Sequence, residues 1–301
     1  MRTIVTGGAG FVGSHVCEAL LARGDEVHVV DDLSRGRREH VPAGARLHVA
    51  DVREPLAALF AELRPASVVH LAAQIDVRVS VADPVADART NVLGTINVLE
   101  AARAHEAQIV FSSTGGAIYG ECDVPARESA TRRPLAPYGT SKLAGEEYLA
   151  TWNRLYGARH VALRLGNVYG PRQDPHGEAG VVAIFLQRLR DGQAATIFGD
   201  GSQTRDYVYA ADVAAAVVAA RASDGGVFNI GTGSATSVVE LWDACCATVG
   251  TRLEPVPADA RLGEIQRSVL DPSLAAAALG WRAATPLADG LRATWEWIRE
   301  E

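Results

Sequence analysis

Arg2-Thr3-Ile4-Val5-Thr6-Gly7-Gly8-Ala9-Gly10-Phe11-Val12-Gly13 opens the chain as a short apolar strand running into a glycine turn. Residues 14–23 follow as a helical run closed by Gly24. Strand, glycine turn and helix in this order suit a dinucleotide. Glycines let the backbone approach a pyrophosphate, and the amides and positive dipole of the helix start meet its charge. A glycine loop alone is a weak signal, but this one has its structural context on both sides. A second strand, 26–30, ends in Asp31-Asp32, where a carboxylate can accept hydrogen bonds from the adenosine ribose hydroxyls. That favours NAD over NADP, whose 2′-phosphate would face the carboxylate. Arg35, Arg37 and Arg38 lie just downstream and could hold such a phosphate, so NADP stays open as the second choice.

Beyond this unit, strands and helices alternate. Strands are expected at 46–49, 67–71, 108–112 and 160–165, with helices at 55–63, 81–105 and 138–156. Such alternation predicts an α/β fold, a doubly wound (Rossmann) parallel sheet with helices on both faces and a smaller C-terminal substrate-binding domain. Residues 1–168 form the nucleotide-binding domain in this reading, with 207–231 returning to it. Residues 169–206 and 232–301 form the second domain. Loops rich in Gly, Pro and Asp at 169–180 and 199–206 read as a substrate lid. No fixed-period repeat or low-complexity segment interrupts the pattern.

Composition narrows the class. With 301 residues the chain can bury a large core. A net charge of −7 and no basic stripe with interleaved aromatics argue against nucleic acid as a partner. Cys17, Cys122, Cys245 and Cys246 show no metal-ligand spacing, and the eight histidines are scattered, so no metal is expected. The most apolar helix, 213–220, is bracketed by Asp212 and Arg221 and is too short to span a bilayer. No signal peptide precedes the first strand, so a soluble cytoplasmic enzyme is expected.

The basic residues are twenty-eight arginines and one lysine, Lys142, four positions after Tyr138. A chain so biased toward arginine retains a lysine where a compact ammonium is needed and a planar fork does not fit. On a helix, i and i+4 share a face. An ammonium beside a phenol favours the phenolate, so Lys142 is expected to lower the pKa of Tyr138 and make it a general base and acid.

Taken together, Thr6-Gly7-Gly8-Ala9-Gly10-Phe11-Val12-Gly13, His70-Leu71-Ala72-Ala73-Gln74, Asn91, Phe111-Ser112-Ser113-Thr114, Tyr138-x-x-x-Lys142 and Arg164-Leu165-Gly166-Asn167-Val168-Tyr169-Gly170-Pro171 resemble the extended short-chain dehydrogenase/reductases. Among these the chain looks most like the nucleotide-sugar epimerases of the UDP-glucose 4-epimerase type, from Thr3 to about Trp297. The resemblance implies a bound NAD that accepts the C4 hydride and returns it to the other face of a 4-keto sugar, with no net redox change. It implies Tyr138 as base and acid, and Lys142 as both tuner of Tyr138 and holder of the nicotinamide ribose. Around the cofactor it places Gly7, Gly10, Phe11, Val12 and Gly13 at the pyrophosphate, and Asp31, Asp32 and Ser34 at the ribose. It places Asp51 and Val52 at the adenine edge, and Leu71, Ala72, Ala73, Gln74, Asn91 and Ser112 along the remainder.

The hydroxyl beside the sugar is implied at Thr114, with Ser113 as the alternate. Gly115-Gly116-Ala117 makes this stretch one residue longer than the commoner family spacing, so both stay open. The nucleotide sugar, a UDP-hexose by the resemblance, is implied to meet Asn167, Arg205 and Arg261, whose forks suit phosphate oxygens. Ser268 aligns with the position beside the sugar C2 substituent, where a small side chain leaves room for an N-acetyl group; capping of the helix near Pro272 is the competing role. A homodimer is implied as well, through Leu99, Leu143, Tyr148, Leu149 and Trp152. Two other readings stay open: a 4,6-dehydratase or decarboxylase, which starts with the same oxidation at C4, and a net reductase or an NAD-dependent binding module without turnover. The first needs a carboxylate beside the catalytic hydroxyl, and Gly115-Gly116-Ala117 supplies none. UDP-N-acetylglucosamine or UDP-glucuronate is an alternative substrate for the epimerase.

Overall fold

Ile4 and Val5 are neighbours in the chain and both fully buried, but they belong to different apolar clusters on opposite faces of one sheet. That is the mark of a strand covered on both sides, as parallel strands are. The computed structural model describes residues 1–122, 125–175, 180–260 and 265–301. Its central sheet contains β1 (Arg2–Thr6), β2 (Glu26–Asp31), β3 (Arg46–Val49), β4 (Ser67–His70), β5 (Gln108–Thr114), β6 (Val161–Leu165) and β7 (Gly226–Ile230). All neighbours pair in parallel, in the order β7-β6-β5-β4-β1-β2-β3. The order reverses between β1 and β4, which opens the crevice where such sheets bind ligands.

On one face, Val5, Val29, Val110 and Leu163 pack with Val16 and Leu20 of the helix Phe11–Ala22 and with Val213 and Val217 of the helix Ala210–Ala220. On the other, Ile4, Val30, Val68, Ile109 and Phe111 pack with Phe60, Val98, Leu99 and Leu149. Emptying one such enclosed position, as in Leu163→Ala, would cost about 2–5 kcal/mol.

The single long helix expected over 81–105 is broken instead. The segment runs as Val77–Ala82, Pro84–Ala88, a π-turn at Arg89–Leu93 and Gly94–Arg103. Pro84 cannot donate to the preceding turn and biases Asp83 away from helical geometry. Asp83 instead caps the next piece, accepting from the Ala86 amide at 2.9 Å.

The C-terminal lobe has its own core. Phe185 and Leu186 of Val181–Arg190, Leu241 and Trp242 of Val238–Val249, and Leu291 and Ile298 of Leu287–Glu300 converge there. A three-stranded sheet sets Thr204–Arg205 between Thr236–Ser237 and Arg267–Ser268. Asp206 ties this lobe to the main sheet, accepting from Thr232 N at 2.8 Å, Thr232 Oγ1 at 2.7 Å, Gly233 N at 3.1 Å and Leu270 N at 3.2 Å. No helix among the described residues is long and apolar enough to cross a membrane. No cluster of His, Cys, Asp or Glu among them could hold a metal ion.

Candidate active site

The turn after β1 closes so tightly that side chains are excluded. Gly7 adopts φ +71°, and a Cβ there would lie 2.7 Å from the Ala72 amide nitrogen. A Cβ on Gly13 would overlap the Gly7 carbonyl oxygen. Gly10 caps the helix Phe11–Ala22 without a side-chain hydrogen bond, so the first-turn amides of Phe11, Val12 and Gly13 are uncapped by protein side chains. A diphosphate fits this cradle, since it needs close backbone approach and a helix N-terminus.

Asp31, at the end of β2, accepts from Ala9 N at 3.0 Å and Leu33 N at 2.9 Å, so it also braces the glycine turn. Burial pushes its carboxyl up, against the pull of those two amides. Asp32 holds the Ser34 amide at 2.9 Å and the Ser34 hydroxyl at 2.6 Å. Asp51 takes the Arg53 amide at 2.8 Å, and Val52 is buried beneath Gly94. Leu71, Ala72, Ala73 and Gln74 follow β4 across the crevice. Asn91 clamps the end of this loop, accepting from Gln74 N at 2.9 Å and donating to Gln74 O at 2.8 Å. Its amide therefore positions the loop.

The candidate catalytic residues sit where β5 ends. Helix Pro137–Tyr156 starts with Pro137 at its first turn, where a missing N–H costs nothing, and stops at Gly157 in the left-handed region. It places Tyr138 and Lys142 one turn apart beside Ser112, Ser113 and Thr114. Lys142 Nζ donates to Ser112 O at 2.9 Å and lies 4.8 Å from the centroid of the Phe111 ring. Ser113 is buried and donates to Glu146 Oε1 at 2.5 Å; Glu146 is paired with Arg164 at 2.6 Å, both side chains 2% exposed. The hydroxyl that hydrogen-bonds Tyr138 is that of Thr114.

Electrostatics correct one expectation. Burial pushes the Tyr138 phenol up to about 12; the Thr114 hydroxyl pulls it down and Asp87 adds to the rise. Burial likewise pushes Lys142 down to about 8, opposed by Asp87. The expected lowering of the phenol by Lys142 is not seen: desolvation dominates, and the group that pulls the phenol down is the Thr114 hydroxyl. His70, at the end of β4, is held down to about 3 by burial and then by the Lys142 charge, so its imidazole is neutral.

On the substrate side, Asn167 is half-buried and its Oδ1 would lie 3.4 Å from a Cβ on Gly116, so it faces the turn just after Thr114. Arg205 is the register partner of both Thr236 and Ser268. Ser268 is buried in that small sheet. It does not cap the helix Ser273–Leu279, whose first amide is held by Asp271 at 2.9 Å. Arg261 lies outside the described residues. Asp87 is a residue that motif reading passed over. Its one signal was the i, i+4 spacing to Asn91, which puts both on one helix face.

A parallel sheet of this order, with a glycine cradle after β1 and a tyrosine–lysine pair over the end of β5, defines a nicotinamide-dinucleotide enzyme of the short-chain dehydrogenase/reductase class. The chain belongs to the NAD dependent epimerase/dehydratase family, which it matches over residues 3–231. It is 45% identical to the UDP-glucose 4-epimerase of Mycolicibacterium smegmatis, covering 100% of this chain and 99% of that one. Among solved structures, the Thermus thermophilus UDP-glucose 4-epimerase in complex with NAD is 47% identical with a TM-score of 0.95, covering 99% of both chains. The Thermotoga maritima UDP-glucose 4-epimerase with UDP-glucose is 43% identical with a TM-score of 0.97, covering 100% of this chain and 99% of that one.

Proposed function

We infer that the protein epimerises a nucleotide sugar of the UDP-glucose type at C4, with NAD as a resident cofactor. The observation that carries this is Thr114 set against Tyr138, one turn from Lys142, at the mouth of a glycine cradle, in a chain so similar to enzymes of that name. Tyr138 takes the proton of the sugar 4-hydroxyl and later gives it back, with Thr114 donating to the phenolate oxygen. Lys142 supplies the positive charge that favours that phenolate and holds the nicotinamide ribose. Gly7, Gly10 and Gly13 receive the pyrophosphate and Asp31 the adenosine ribose. The cofactor, when bound, supplies the hydride acceptor for C4 and, through its cationic ring, further attraction for the phenolate. Asn167 and Arg205 orient the diphosphate.

A 4,6-dehydratase is disfavoured by the same geometry. The helix Gly115–Ile118 that follows Thr114 carries no acid, and the nearby carboxylates of Asp87 and Glu146 are buried against Ser141 and Arg164. Incubation with a panel of UDP-sugars, with products resolved by chromatography, tests the reading. Interconversion of 4-epimers without added NAD is expected, because the hydride returns to the same sugar. Stoichiometric NADH accumulating as substrate disappears would overturn it.

A second copy of the chain fits an exposed apolar face formed by the turn Arg89–Leu93 and the helix Pro137–Tyr156: Leu93 at 54%, Tyr148 at 37%, Leu155 at 66% and Tyr156 at 51% exposure. Trp152 stacks edge-on between Tyr148 and Tyr156. Leu99 and Leu149 are corrected out of this face, since both are buried in the chain's own core, and Leu143 packs on an internal cluster. Light scattering at micromolar concentration is expected to give the mass of a dimer; a monomer would count against it.

A further inference from the structure

Asp87 is fully buried on the short helix Pro84–Ala88. Its Oδ1 accepts from Gln74 Nε2 at 3.0 Å and Asn91 Nδ2 at 3.0 Å, and its Oδ2 accepts from Ser141 Oγ at 2.5 Å. All three donors are neutral. Ser141 is the neighbour of Lys142 and lies three residues after Tyr138, while Gln74 ends the loop that crosses the cofactor crevice. An ionised carboxylate without solvent is costly unless it is hydrogen-bonded and matched by opposite charge. The opposite charge here is the Lys142 ammonium, 3% exposed and bonded to a carbonyl, the Ser112 oxygen. The Asp87 carboxyl, bonded to Ser141, and the Lys142 ammonium, bonded to the Ser112 carbonyl, are thus both buried and act on one helix turn, the turn that carries Tyr138 and Ser141. The field of Asp87 reaches both catalytic groups, holding the proton on Lys142 and opposing ionisation of Tyr138.

We propose that Asp87 is the buried counter-charge of the Tyr138–Lys142 pair, a positioning residue that, through Ser141, fixes the helix turn presenting both side chains. This rests on the reading of Tyr138 and Lys142 given above. Among the described residues, His70 and Glu146 also lie beside the pair. His70 on β4 is kept neutral by burial and by Lys142, and Glu146, one turn beyond Lys142, is neutralised by Arg164. Asp87 is therefore the negative charge that sets the pair's balance.

The test is the pH dependence of kcat in Asp87→Asn, which keeps the shape and removes the charge. Loss of that charge favours the phenolate and disfavours the ammonium, so both limbs of the profile should move to lower pH, each by about one pH unit. KM for the UDP-sugar should hold within roughly twofold, since uniform binding is untouched. Limbs that coincide with wild type would overturn the counter-charge role. Ser141→Ala removes the hydrogen bond and keeps the charge. Lower kcat with unmoved limbs supports the positioning role, and wild-type kcat sinks it; this variant decides that role if Asp87→Asn does not fold. Tyr138→Phe, measured alongside, separates the two levels of inference. If it stays active the catalytic reading has failed, whereas an inactive Tyr138→Phe with an unshifted Asp87→Asn profile refutes the role of Asp87 alone.

Discussion

Ser113 donates its hydroxyl to the Glu146 carboxylate at 2.5 Å, and this bond turns it into the interior, leaving Thr114 to face Tyr138. The two hydroxyls should therefore separate by assay. Thr114→Val removes a hydrogen bond to a developing phenolate, worth about 1.5–3 kcal/mol, so kcat should fall roughly tenfold to a hundredfold. Ser113→Ala leaves the buried Glu146 one donor short and should instead lower unfolding free energy by about 1–3 kcal/mol. Steady-state kinetics and denaturant melts on both variants check this; the reverse pattern would reassign the sugar hydroxyl partner.

The lone lysine makes a sharper test. Lys142→Arg keeps the charge but cannot place a compact ammonium on the Ser112 carbonyl without displacing the Phe111 ring below it. Most activity should be lost, and Tyr138→Phe should lose about 10² to 10⁴-fold while its circular dichroism stays that of wild type. Near-normal turnover in Tyr138→Phe refutes the mechanism.

The nucleotide half of the site was legible because its signals are local: an apolar run, glycines whose positions admit no side chain, and a carboxylate at the end of the next strand. The tyrosine–lysine pair was legible because both residues share one helix face. Ser113 and Thr114 could have been told apart by strand parity. Ile109, Phe111 and Ser113 alternate onto one face of β5, the face covered by helix Pro137–Tyr156, where Leu149 and Glu146 lie. Asp87 offered only its i, i+4 spacing to Asn91. Its other partners, Gln74 and Ser141, come from separate segments, and one carboxylate among thirty-six acidic residues carries no mark of burial. The electrostatic error has the same origin, since charge proximity was readable and desolvation was not.

Ser268 offers a test of substrate size. It is buried beside Arg205 in the small sheet, so a large side chain there must displace something. If it lines the sugar pocket next to C2, the wild type should turn over UDP-N-acetylgalactosamine as well as UDP-galactose, and Ser268→Tyr should lose the former by tenfold or more, since steric exclusion at a pocket is worth about 1–3 kcal/mol. Comparing kcat/KM for the two substrates in both proteins decides it. Unchanged selectivity would place Ser268 away from the sugar.

Acid stability should betray two buried neutral imidazoles. His70 is held down to about 3 and His160 to about 4, both by burial, from an ordinary value of 6.5. Between those values and 6.5 the unfolded chain binds more protons, so stability rises with pH there and is lost as pH falls below 6.5. At pH 5.5 each histidine should cost about 1.4 kcal/mol relative to pH 8. Denaturant melts across pH 4–8 measure the slope. His160→Gln should flatten it, and an unaltered slope in that variant would show that His160 is not the source.

The Asp206 carboxylate gathers amides from Thr232, Gly233 and Leu270, stretches far apart along the chain. Swinging the C-terminal lobe open as a rigid body would strand that charge, and burial already pushes its carboxyl up. Such a hinge is held shut by the same knot that sets the register of Arg205 beside Ser268. Local movement of surface loops therefore costs less than parting the lobes.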